Sequence, residues 1–144
     1  IVQCLVGSEM CIRDRIGTYV LSSGYYDAYY IKAQKIRSLI KSDYVEAFKK
    51  VDAILTPSTP STAFEIANEP SDPVQNYLND IFTVPVNLAG LPGISIPYAN
   101  DENNLPIGLQ LITNSFEEQK LLNVAKNIEE TINYSETPEK WWLK

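Results

Sequence analysis

Histidine is absent from the 144 residues. Ser-His-Asp and Cys-His catalysis are excluded with it, and so is the commonest transition-metal ligand, so no zinc centre is expected. Cysteine is scarce. Cys4 and Cys11 stand seven positions apart in a segment without a clear period, which indicates neither a Cys-x-x-Cys site nor a disulfide framework. No apolar run approaches the roughly 18 residues needed to cross a bilayer, and no basic start leads into an apolar stretch with a cleavage site. The chain is therefore expected in the cytoplasm. Basic residues are outnumbered, 12 Lys and Arg against 18 Asp and Glu, for a formal charge of −6. Polyanions are held by clustered Lys and Arg, so direct phosphate binding is disfavoured and any RNA contact is expected to belong mainly to a partner. The chain opens on Ile1 rather than Met, so the natural N-terminus is expected elsewhere.

What is present points to a packed domain. Hydrophobic residues make up 44% and charged residues 21%, which are globular proportions, and the length suits one domain. From Tyr25 to about Val51 there is no Gly or Pro, and Tyr26, Tyr29, Ala33, Ile36 and Ile40 recur at steps of three and four. That spacing predicts one face of a long helix, begun by Ser22, Ser23 or Gly24, with a break possible near Lys41 to Asp43. Asp52 to Thr56 is a short apolar run ended by Pro57 and reads as a buried strand. A long loop follows to Pro73, of the kind that is either functional or disordered.

Val74 to Phe82 predicts a short helix, and Thr83 to Gly90 a second apolar segment with Pro85 near its start, where proline is tolerated. Gly90 to Gly93 is a turn. Ile94–Pro97 and Gly108–Ile112 bracket the polar stretch Asn100 to Asn104, the pattern of a hairpin. Leu121, Leu122, Ala125, Ile128 and Ile132 place a closing helix over Phe116 to Ile132, with Ser115 as its cap and Glu117 and Glu118 in its first turn. No internal repeat and no low-complexity block occurs.

The eleven residues Leu5 to Arg15, LVGSEMCIRDR, resemble a translation of the adapter used in transposase-based sequencing libraries. Both cysteines and the single Met lie within or beside this string. Residues 1–15 are accordingly set apart as foreign. Glu9 and Asp14 cancel Arg13 and Arg15, so the chain from Ile16 keeps its net −6.

Gly17 to Ile40, GTYVLSSGYYDAYYIKAQKIRSLI, resembles the glutaminase (A-type) chains of glutamyl-tRNA(Gln) amidotransferases, within the amidase signature family. The resemblance continues through Ala53 to Pro57, Asp72-Pro73, Tyr77 to Pro97 and Pro106 to Ile112, and covers about residues 16–132 in family order. It implies an α/β fold, a mixed β-sheet covered by α-helices, of which residues 16–132 are the C-terminal part and 133–144 a tail.

It also implies hydrolysis of glutamine at a Ser-Ser-Lys triad. That triad lies in and upstream of a Gly- and Ser-rich region that does not occur here, so this chain alone is expected to be inactive. The ammonia would pass to a B subunit that uses ATP and magnesium to convert Glu-tRNA(Gln) to Gln-tRNA(Gln). The amidotransferase B and C subunits are thus the implied partners, glutamine the small-molecule substrate, and no cofactor belongs to this chain.

Within the family, glutamine is held by an Arg at its α-carboxylate and an Asp at its α-ammonium. Asp80 matches the acidic position, although on the residues alone an Asp in a short helix is ordinarily solvated. Arg13 stands at the basic position, but it lies inside the adapter-like string. Ser22 and Ser23 precede a Tyr-rich helix and read as caps rather than nucleophiles, and Lys32, Lys35 and Lys41 as a solvated helix face. Tyr25, Tyr26, Tyr29 and Tyr30 either line a pocket or ammonia passage or, the better reading at i and i+4 on a helix, serve as core and rim packing. Two other classes stay open: a free-standing amidase of small amides, and a noncatalytic interaction module.

Overall fold

The computed structural model describes residues 15–22, 24–64 and 73–134. Residues 1–14 with Arg13, Ser23, residues 65–72 of the long loop and residues 135–144 of the tail lie outside the described residues. The chain divides into two compact units, Ile1–Ile40 and Lys41–Lys144.

In the first unit a helical stretch at 15–20 leads to a π-helical turn, Tyr26–Tyr30, in which the Ile31 N–H donates to the Tyr26 carbonyl. Helix α1, Ile31–Ala47, continues from it without interruption. The break expected near Lys41 to Asp43 is absent, because residues 31–47 contain neither Gly nor Pro to disrupt the ladder. Nor does Ser22 cap the following helix. Its hydroxyl donates backwards to the Tyr19 carbonyl at 2.6 Å, and Gly24, at φ +89°, makes the bend. The apolar stripe is real in sequence but uncovered among the described residues, with Tyr29 59% and Ile36 48% exposed.

The second unit is built on three antiparallel strands in the order β1, β3, β2: β1 Ile54–Pro57, β2 Gly93–Asn100 and β3 Pro106–Ile112. The α/β class is as expected. Strand β1 is a half-exposed edge rather than a buried strand, with Leu55 52% exposed, because it pairs on one side only. Pro57 ends it where a missing N–H is harmless. Pro97 sits on the other edge, and a bulge between Pro97 and Ala99 carries β2 past it.

Helix α2, Pro73–Leu78, is shorter than expected, and α3, Val84–Ala89, begins with Pro85 in its first turn. Gly90 closes α3 at φ +71°, its N–H bonded to the Asn87 carbonyl.

Helix α4, Glu118–Ile132, lays Leu121 and Ala125 on Leu111 and Ile96, with Ile94, Val124 and Ile128 at the margin. Each fully buried aliphatic side chain of this kind contributes roughly 1.5–3 kcal/mol. Ser115 does not cap α4. Its N–H is engaged by the Asn114 side chain, while the fully buried Thr113 hydroxyl donates to the Glu117 carbonyl at 3.3 Å. Lys120 then bridges Glu117 at 3.0 Å and Asp52 at 3.4 Å, joining the first turn of α4 to the approach to β1.

The turn between β2 and β3 is organised by Asp101. Its carboxylate accepts the Leu105 N–H at 2.8 Å, the Thr62 hydroxyl at 2.7 Å and the Asn103 N–H at 2.9 Å, which hold its pKa below the usual carboxylate range. The folded value lies below the unfolded one, so the stabilisation is present above the unfolded pKa and is lost as pH falls through the folded pKa. Urea unfolding of this chain is therefore expected to be insensitive to Asp101 ionisation above about pH 5 and to lose stability on acidification below about pH 4. Asp101→Ala should show a lower plateau and a shallower acid limb. Identical pH profiles for the two proteins would remove Asp101 from this role.

Candidate functional site

Strand period two places Leu109 and Leu111 on the α4 side of β3, and Gly108, Gln110 and Ile112 on the other. This second face is where the polar residues gather. Ser58 and Ser95 approach to 2.7 Å between their hydroxyls, and both lie over Gly108. A Cβ at Gly108 would stand 2.9 Å from each Oγ, so only glycine leaves the two serines their contact. Among the described residues neither hydroxyl has a hydrogen-bonded basic partner of the kind that activates a nucleophile, and the pair closes on itself.

Asp80 stands near this face, in the turn between α2 and α3 rather than in a helix. The turn forms because α2 stops at Leu78, and Pro85, which cannot occupy a helix interior, fits the start of a new helix. The Asp80 carbonyl accepts the N–H groups of Thr83 at 3.1 Å and Val84 at 3.0 Å, so Asp80 to Val84 is one closed turn. Its side chain is exposed and makes no hydrogen bond or ion pair among the described residues. A carboxylate held this way is available to a cation.

Gln110 is the residue that inspection of the sequence missed. It is 7% exposed, and its carboxamide donates to the Phe82 carbonyl at 2.9 Å and to the Thr56 hydroxyl at 3.2 Å. A Gln between apolar neighbours in a strand gives no local sign of partners 28 and 54 residues away.

Tyr25 stacks on Tyr29 and Tyr26 on Tyr30, with ring centroids 5.6 and 5.0 Å apart, yet Tyr26 and Tyr29 stay 42% and 59% exposed, so the rings stack along the helix without entering a core. Lys32, Lys35 and Lys41 are exposed, as a solvated face should be. Among the described residues no helix is long and apolar enough to cross a membrane.

The amidase family profile matches residues 2–122, a span that takes in the adapter-like string. The chain is 63% identical over 138 residues to the glutamyl-tRNA(Gln) amidotransferase A subunit of Pelagibacter ubique, covering 96% of this chain and 28% of that protein. It is 56% identical over 136 residues to the protein of the same name in Parvibaculum lavamentivorans, with 94% and 28% covered. The crystal structure of the corresponding Thermotoga maritima protein, of the same name, superposes with a TM-score of 0.72 at 46% identity, over 94% of this chain and 29% of that one. The chain thus spans a little over a quarter of the length of the relatives it matches. It belongs to the amidase family.

Proposed function

We propose that this chain is the C-terminal part of the glutaminase subunit of a tRNA-dependent amidotransferase. The whole glutaminase hydrolyses glutamine and passes ammonia to the B subunit, which with ATP and magnesium converts Glu-tRNA(Gln) to Gln-tRNA(Gln) in the cytoplasm. The C subunit completes a heterotrimer. The observation that carries the reading is the similarity to amidotransferase A subunits across nearly the whole chain, well above that to other solved amidases, such as those at 24% identity, which share the fold alone.

Asp80 is assigned to the α-ammonium of glutamine. Enclosing a zwitterion requires an opposite charge at each end, since an unpaired buried charge costs several kcal/mol. Its own chain leaves this carboxylate without a partner among the described residues. The uncovered apolar faces, α1 and the tyrosine turn among them, are assigned to packing against the remainder of the glutaminase.

The gene decides between the readings. DNA upstream of codon 16 should replace the adapter-like residues 1–15 with native sequence, preceded by the Gly- and Ser-rich region and its triad. The complete glutaminase with the B and C subunits should then amidate Glu-tRNA(Gln) from glutamine, whereas the 144-residue chain should release no ammonia above buffer, lacking the acyl-forming Ser and its Lys. A complete protein that hydrolyses small amides but supports no amidation with the B and C subunits would favour the free-standing amidase.

A further inference from the structure

Resting on the assignment of Asp80 to the ammonium, we propose that Gln110 is a positioning residue for glutamine capture, its carboxamide fixing the turn that carries Asp80 to the central strand of the sheet. Since the Asp80 carboxylate has no partner of its own among the described residues, its location is set by the backbone around it. That backbone is closed on one side by the Thr83 and Val84 N–H groups on the Asp80 carbonyl. It is tied to the sheet by the bond of 2.9 Å from Gln110 to the carbonyl of Phe82, two residues beyond Asp80.

The chemistry of the anchor is specific. A carboxamide nitrogen carries two hydrogens, and here they go to Phe82 on the turn and Thr56 on the edge strand. One side chain on β3 thus spans β1, β3 and the turn. A carboxylate at the same place would set acceptor against acceptor at Phe82, and an apolar side chain of equal length would leave a part-buried carbonyl unpaired. In both cases the turn is free to shift, and a displacement of about 1 Å is enough to cost substrate positioning heavily.

The experiment uses the complete glutaminase in complex with its partners and compares Gln110→Met, Gln110→Glu, Asp80→Asn and the double variant Gln110→Met/Asp80→Asn. Gln110→Met, which keeps length and bulk and removes both bonds, is expected to raise KM for glutamine about ten-fold, the size of effect that losing the bond to the turn would have. Its kcat should stay within about two-fold, because the triad lies elsewhere, and amidation from ammonia should not change. Gln110→Glu should be at least as severe.

In the Asp80→Asn background the Gln110→Met change should add almost nothing, because a residue that acts through Asp80 has nothing left to position. Additive effects would overturn the inference, as would an unchanged KM in Gln110→Met while Asp80→Asn is impaired, and in either case the Asp80 assignment survives. If Asp80→Asn itself leaves KM unchanged, both fall. Should the Gln110 variants fail to assemble, Thr56→Val, which removes one of the two acceptors, takes their place with an expected rise of about three-fold in KM. No rise there would equally overturn the inference.

Discussion

Asp80→Asn in the complete glutaminase is expected to lower glutamine-dependent kcat/KM by about thirty-fold or more. The substitution keeps the size of the side chain and removes its charge. Truncating one partner of an enclosed, hydrogen-bonded charge pair costs roughly 2–5 kcal/mol, and about 1.4 kcal/mol is one decade. The loss should fall on capture of glutamine. Amidation supported by free ammonia bypasses that pocket and should be nearly unaffected, so kinetics with both nitrogen donors isolate the step. Folding should tolerate the change, because the turn is held by the Asp80 carbonyl and the Phe82 carbonyl rather than by the carboxylate. If glutamine-dependent kcat/KM stays within a few-fold of the parent, Asp80 is a solvated turn residue and the assignment fails.

Leu111→Ala is expected to remove about 2–5 kcal/mol from the stability of the 144-residue chain, as deletions of buried leucines do. Leu111 is 2% exposed and lies on the central strand, in contact with the side chains that hold α4 to the sheet. Domains of this size are stable by only about 5–15 kcal/mol, so the variant should unfold at a much lower urea concentration. Leu122 provides the comparison. It neighbours the buried Leu121 on α4 yet is 54% exposed, so Leu122→Ala should fall within about 0.5 kcal/mol of the parent. Equal shifts in the urea midpoint for Leu111→Ala and Leu122→Ala would show that α4 does not pack on β3 in this way.

Much of the second unit is legible residue by residue. The alternation in Ile94–Pro97 and Gly108–Ile112, around a polar Asn100 to Asn104, specifies the hairpin because a one-residue slip would take Ile96 off the face it shares with Leu111. The spacing of Leu121, Ala125 and Ile128 specifies α4 and the face it buries. Pro85 and Gly90 bound the apolar segment that folds as α3, one lacking an N–H and the other free to take a positive φ, though the helical state of the segment shows only in the structure. The exposed tyrosine stripe shows the limit of such reading: period gives a helix face but not what covers it.

The hydroxyl caps expected at Ser22 and Ser115 do not form. The Ser22 hydroxyl donates back to the Tyr19 carbonyl, a local bond that competes with capping, whereas at Ser115 the backbone N–H is taken by the Asn114 side chain and the helix after it starts without a side-chain cap.

Composition, charge and the absence of histidine excluded whole classes of chemistry without any coordinates, because they depend only on which functional groups exist. Local order, the hairpin and α4, followed from interactions within a few residues or across one short turn. Asp80 was found by resemblance rather than by physics, and that it stands in a turn instead of a helix emerged only from the folded chain. The pairing of β1 with β3, the serines over Gly108 and the Gln110 bonds to Phe82 and Thr56 were decided by tertiary structure alone. They join residues 28 to 54 or more positions apart, and a hydrogen bond leaves no trace in sequence until the fold brings its two ends within about 3 Å.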